Sequence, residues 1–126
     1  MAKVLIAGEP GNPIEVLEAE LAGQGFQVVV AVTGQEAYES VLHEKPDAVI
    51  LAARMPVFDG LTTCRMLRDD PDIPPELPVF LMSENAVHAK SIERAEVTEV
   101  INPRHEASEL RELLTRHLGK AVWPDL

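Results

Sequence analysis

Residues 46–60, PDAVILAARMPVFDG, limit what this chain can fold into more than any other stretch. They open on a Pro-Asp turn, stay apolar from Ala48 to Ala53, break at Met55-Pro56 and close on Asp59-Gly60. A short run without a polar face, bounded by turn residues, suits a strand covered on both sides, as in a parallel sheet. Open α/β sheets bind ligands at the C-terminal ends of such strands. Here that end is Ala52-Ala53-Arg54, where a reactive side chain would be looked for and none stands.

The rest of the chain repeats the unit. Lys3 to Ala7, KVLIA, reads as a first buried strand, followed by a turn at Gly8-Glu9-Pro10-Gly11. Asn12-Pro13 offers an N-cap with proline at the first helical position. Ile14, Leu17 and Leu21 then recur at helical spacing until Gly23 and Gly25. Residues 27–32 form a second strand, and Thr33-Gly34 opens a helix carrying Ala37, Val41 and Leu42 as far as Lys45-Pro46. After the central stretch, a helix starting at Gly60 or Leu61 places Leu61, Cys64 and Leu67 on one face. Residues 69–78, with four prolines, read as a stiff extended loop. A strand over 78–82, a short helix over 86–94 and a weaker strand over 97–101 follow. A last helix after Asn102-Pro103 shows Leu110, Leu113, Leu114, His117 and Leu118 in period, and Gly119 caps it.

Strands alternating with helices through short connections imply right-handed crossovers and helices on both faces. The expectation is an α/β fold, one doubly wound domain over residues 1–119 with a five-stranded parallel sheet, and a tail over 120–126. A chain of 126 residues buries roughly two thirds of its unfolded surface, enough for one core. Few aromatics make that core aliphatic.

The charge of −10 argues against nucleic acid and against an anionic membrane surface. No apolar run approaches the roughly 20 residues of a membrane helix, and the N-terminus turns polar too soon for a signal peptide. One cysteine, Cys64, excludes an internal disulfide and fits a reducing compartment, so a cytoplasmic location is expected. His43, His88, His105 and His117 are scattered without metal-ligand spacing, so no metal or cofactor is expected. Cys64 has no paired base and reads as core, and His117 as a packing residue.

RMPVFDG, preceded by PDAVIL, together with KVLI, Gly25-Phe26, PVFLMS and a proline after the fifth strand, resembles the receiver domain of bacterial two-component response regulators. The likeness runs from Lys3 to Leu118. It implies the flavodoxin-like strand order 2-1-3-4-5. It also implies an aspartate at the end of strand three that takes a phosphoryl group from a histidine kinase, and Mg²⁺ held beside it by an acidic pair after strand one. A hydroxyl after strand four and a lysine after strand five bind the phosphoryl oxygens in that family.

Carried over residue by residue, the phosphoacceptor position falls on Ala52, the acidic pair on Gly8 and Glu9, and the lysine on Asn102. The aromatic switch position falls on Glu99, and Ser83 keeps the hydroxyl. Glu9 alone is a weak Mg²⁺ candidate, better read as a solvated turn residue. Asp59 reads as serving its loop and the next helix, while Ser83 reads equally as a retained hydroxyl or as a helix-four cap. The expectation is therefore an atypical receiver, not an enzyme, acting as a phosphorylation-independent protein-interaction module in phosphorelay signalling. Its partner would be a histidine kinase or an output protein, and the domain a monomer or a weak homodimer. The expected partner surface is Val87, Lys90, Arg94, Glu99, His105 and Arg111, by analogy with the family. Two alternatives stand beside it. One is a phosphorylation-competent regulator using Asp59 or Glu9, or altered at Ala52. The other is a small-ligand binder at the switch point, where Gly8 and Ala52 leave room. Trp123 packs back on its own chain, on a dimer mate or into a partner.

Overall fold

The computed structural model describes residues 2–119 and 121–124; Lys120, Asp125 and Leu126 of the expected tail lie outside them. The elements run β1 (Lys3–Ala7), α1 (Ile14–Gly23), β2 (Gln27–Ala31), α2 (Gly34–Glu44), β3 (Ala48–Ala52), α3 (Gly60–Asp69), β4 (Val79–Met82), α4 (Ala89–Ala95), β5 (Glu99–Ile101) and α5 (Ala107–His117). All strand pairs are parallel, in the order β2-β1-β3-β4-β5. The alternation of strands and helices predicts the doubly wound α/β sheet, and the receiver resemblance its flavodoxin-like order.

Alternation along each strand divides the core into two layers. Leu5, Ala7, Val49, Leu51 and Val79 face α2, α3 and α4, meeting Ala37, Val41, Cys64, Leu67 and Ala95. Val4, Ile6, Ala48, Ile50, Phe80 and Met82 face α1 and α5, meeting Ile14, Leu17, Leu21, Leu110 and Leu114. β1, β3 and β4 are covered on both sides, which is why they read as runs without a polar face.

Several boundaries move for local reasons. α1 begins at Ile14 with Pro13 as N-cap and no side-chain cap, so Asn12 does not serve. Gly11, at φ +109°, turns its carbonyl to accept from Glu15 N instead. α4 begins at Ala89 rather than 86, capped by His88, whose Nδ1 accepts from Lys90 N. β5 loses Val97, whose N–H closes α4 on Ile92 O. α5 starts at Ala107 because Asn102 makes a turn of its own, its Oδ1 accepting from Arg104 N at 2.8 Å. The proline-rich loop is not extended: Ile73 N returns to Asp70 O and Leu77 N to Pro74 O, which buries Ile73 and Leu77.

Arg68 pins this loop to the sheet. Its Nε donates to Glu96 O, and one guanidinium NH₂ donates to Pro75 O and Leu77 O. The arginine thereby joins the 74–77 turn to the C-terminus of α4.

Candidate functional site

The C-terminal ends of β1, β3 and β4 lie side by side, so the fold brings the loops after them together. A cleft of about 260 Å³ opens there, lined by Pro13, Ala52, Ala53, Arg54, Met82, Ser83, Glu84, Asn85 and Pro103. It is the crevice that an open α/β sheet offers to ligands.

The loop after β3 is shaped by its own sequence. Val57 sits at φ 71°, a conformation that a β-branched residue adopts at a cost of roughly 1–3 kcal/mol. Phe58 N donates back to Pro56 O at 2.9 Å, closing a tight three-residue turn around it. Asp59 then caps α3, its Oδ1 accepting from Thr62 N at 2.8 Å. Gly60 follows because a Cβ there would run into the Ala52 carbonyl. Asp59 therefore serves the loop and the helix, as the sequence suggests.

Of the five pocket positions, the structure places Ala52 and Ser83 in the cleft lining and Gly8 directly behind Ala52. A Cβ added at Gly8 would stand 2.7 Å from Ile14 Cδ1 and 3.0 Å from Ala52 Cβ. Ile14 thus fills the space over Gly8, and it is buried. The room expected at Gly8 is taken up by Ile14, a residue of the α1 core stripe, and Ala52 stands close on the other side.

Glu9 and Asn102 do not line the cleft. Glu9 is exposed on the turn after β1, and Asn102 is engaged with Arg104 N. Ser83 does not cap α4: its Oγ donates to Asn85 O at 2.9 Å and accepts from Asn85 N at 3.3 Å. The hydroxyl is committed to its own turn.

The fit to a divalent cation can be judged from these donors. Mg²⁺ takes oxygen ligands in a compact octahedron, with one or two carboxylates. The cleft lining offers one carboxylate, Glu84, while Gly8 and Ala52 present carbon and Ile14 packs over Gly8. The residues present do not fit the ion. Among the described residues, no group of three or more His, Cys, Asp or Glu is placed to hold a metal.

The expected partner surface is only partly one surface. A groove of about 490 Å³ between β5 and α5 is lined by Glu99, Val100, His105, Glu109, Leu113 and Arg116, among others. Val87, Lys90, Arg94 and Arg111 do not line it. Two groove residues are tied inward: His105 Nε2 lies 2.7 Å from Glu20 Oε1 on α1, and His117 Nε2 lies 2.7 Å from Glu99 Oε2. His117 also meets the Phe80 ring edge-on at 5.5 Å, which makes it a packing residue. Cys64 is buried, its Sγ donating to Ala95 O at 3.1 Å, and burial pushes its thiol up to about 11. It is no nucleophile.

No helix among the described residues is long and apolar enough to cross a membrane.

Comparison with known proteins agrees with this architecture. The receiver domain of the sensor histidine kinase PA1611 from Pseudomonas aeruginosa PAO1, solved with a magnesium ion coordinated in its active site cleft, superposes with a TM-score of 0.85 at 23% identity. That match covers 94% of this chain and 98% of that one. The BeF3-activated N-terminal receiver domain of Klebsiella pneumoniae RstA gives a TM-score of 0.81 at 27% identity, covering 94% and 99%. Response regulator PleD of Caulobacter vibrioides is 33% identical over 82 residues, 65% of this chain and 18% of that protein. Transcriptional regulatory protein PrrA of Mycobacterium tuberculosis is 38% identical over 73 residues, 57% of this chain and 31% of that protein. The match thus spans less than a third of the length of either curated relative. The family model described as response regulator receiver domain matches residues 4–115, and the chain belongs to that family of signal-transduction modules.

Proposed function

We propose that this receiver domain works without phosphorylation at the usual position, as a protein-interaction module in a signalling pathway. The methyl group at Ala52, beside a Gly8 over which Ile14 is packed, carries the reading. Phosphoryl transfer to a carboxylate needs an oxygen nucleophile and charge to neutralise the moving phosphoryl oxygens. At Ala52 there is a methyl group, and the neighbouring space holds hydrocarbon. Asp59 is no substitute acceptor, since its carboxylate is the cap of α3.

Partner binding then supplies the regulation. The favoured surface is the one around α4, β5 and α5, with Val87, Lys90, Arg94, Glu99 and Arg111 as contact residues and His105 holding the start of α5 on α1. The partner is a histidine kinase or an output protein of the same pathway. The domain itself is a monomer or weak homodimer in the cytoplasm.

Incubation with a small acyl phosphate and Mg²⁺ tests this directly, with acid-labile phosphate measured per mole of protein. No stoichiometric label is expected. Label on any carboxylate would overturn the reading. The Ala52→Asp variant sharpens the test: with Ile14 still over Gly8, it should label poorly and bind Mg²⁺ weakly. Efficient labelling of that variant would indicate a pocket lacking one residue alone.

A further inference from the structure

The last described residues lie against the domain. Val122 and Trp123 pack on the core layer formed with α2, α3 and α4, and both are partly buried. The indole Nε1 donates to Pro46 O at 2.6 Å. Leu42, Lys45, Asp72 and Pro124 line the cleft beside the ring, so the indole stands between the end of α2 and the turn that follows α3.

The junction that receives Trp123 also holds the first strand. Lys3 N donates to Asp47 Oδ2 at 2.7 Å, and Asp47 N donates to Lys3 O at 2.7 Å. Lys3 Nζ reaches both Glu44 O and Glu44 Oε1 at 3.2 Å. Residues 44–47 therefore bind the beginning and the end of the described chain at once. This is the end of the sheet opposite the cleft, so the contact is independent of the reading proposed for that cleft.

We infer that residues 121–124 form a strap that closes the α2–α3 side of the core. The folded unit then runs through Trp123 rather than ending at Gly119. A Trp left in water exposes a large apolar area, whereas here the ring covers the base of the core and its N–H finds an acceptor. The carbonyl it uses belongs to Pro46, which is itself buried, so a missing indole would leave that acceptor to water alone. The strap is held by one ring and one hydrogen bond among the described contacts of Trp123, so it can open locally without loss of the sheet.

Trp123 is the only tryptophan in the sequence, so its fluorescence reports this contact alone. The folded protein should emit to the blue of its denatured form and resist acrylamide quenching, at all protein concentrations. Trp123→Ala should lower Tm by about 5 °C or more. Trp123→Phe keeps a ring but loses the donor, and should lower Tm by a smaller amount; it also serves should the alanine variant fail to fold. Emission like that of the denatured chain would overturn the strap, as would an unchanged Tm in Trp123→Ala. Burial that vanishes on dilution together with a dimer would also overturn it, because the slot would then be filled by a second copy.

Discussion

At the C-terminal ends of β1 and β3, Gly8 faces the hydrocarbon of Ile14 and Ala52. At the N-terminal ends of the same strands, Lys3, Glu44 and Asp47 exchange backbone and side-chain hydrogen bonds. An open α/β sheet ordinarily keeps its polar groups for the first of these ends, where ligands bind. Buried polar groups cost stability unless they are paired, so they persist where they do chemistry or where they bond each other. In this chain the β1–β3 corner of the top lacks such groups, while the base of the same two strands has them. The Gly8–Ala52 corner of the top is packed like core, and the base is tied like a clasp.

The largest effect should come from reversing that assignment at the top. Gly8→Asp would push a Cβ against Ile14 and set a carboxylate close to the Ala52 methyl, at a position that is buried. Burying a charge and overpacking together are expected to cost roughly 3 kcal/mol or more, read by urea denaturation. Adding Ile14→Ala to that variant should restore part of the loss by opening the space. Wild-type stability in Gly8→Asp alone would show that the site is solvated and that the two ends are not so different.

A smaller loss is expected at the base. Asp47→Ala removes the acceptor of Lys3 N and leaves that N–H without its partner, at about 1–2 kcal/mol. The same denaturation measurement applies, and a change under about 0.5 kcal/mol would mean that water replaces the carboxylate and the clasp is ornamental.

The strands were legible from their hydrophobic runs, and their order from the resemblance to receiver domains. Residues 4–7, 48–51 and 79–82 are buried on both faces, and nothing but β structure uses so short a run that way. Helix starts at Thr33 and Asp59 were legible for a local reason, since each side chain accepts from the backbone three residues on. Where Ser83 and Asn102 made the same kind of bond, it went to a turn, and the expected helices began later. The Met-Pro and Asp-Gly pairs identified the site, and the identity of residue 52 could be read off directly. That Ile14 fills the room over Gly8 could not, because its helical spacing announces a buried face without saying what it is buried against. Trp123 on Pro46 and His105 on Glu20 are contacts between distant segments, and periodicity carries no signal for either.

The smallest expected effect lies near the base, at the pair of Tyr38 on α2 and Asp70 just after α3. The Tyr38 hydroxyl donates to Asp70 Oδ2. That hydrogen bond, with desolvation and the charges of Asp70 and Asp72 adding to it, holds the phenol above its ordinary pKa. The same bond, and then the Asp72 N–H, hold the Asp70 carboxyl below its ordinary value. For Tyr38, a folded-state value raised above the unfolded value of about 10 means a contribution that is complete below that pH and lost as pH rises through the folded value. For Asp70, a lowered value means a contribution present above about pH 4 and lost as pH falls through the folded value. Across the neutral range the pair is therefore constant, and only the two extremes reveal it. Tyr38 is the single tyrosine, so tyrosinate absorbance titrates it alone. In Asp70→Asn its midpoint should fall toward the ordinary value with little change in stability at neutral pH, as befits a solvent-facing pair. An unmoved midpoint would show that the phenol is free of Asp70 in solution, and that this pair adds nothing to the hydrogen bonding of the base.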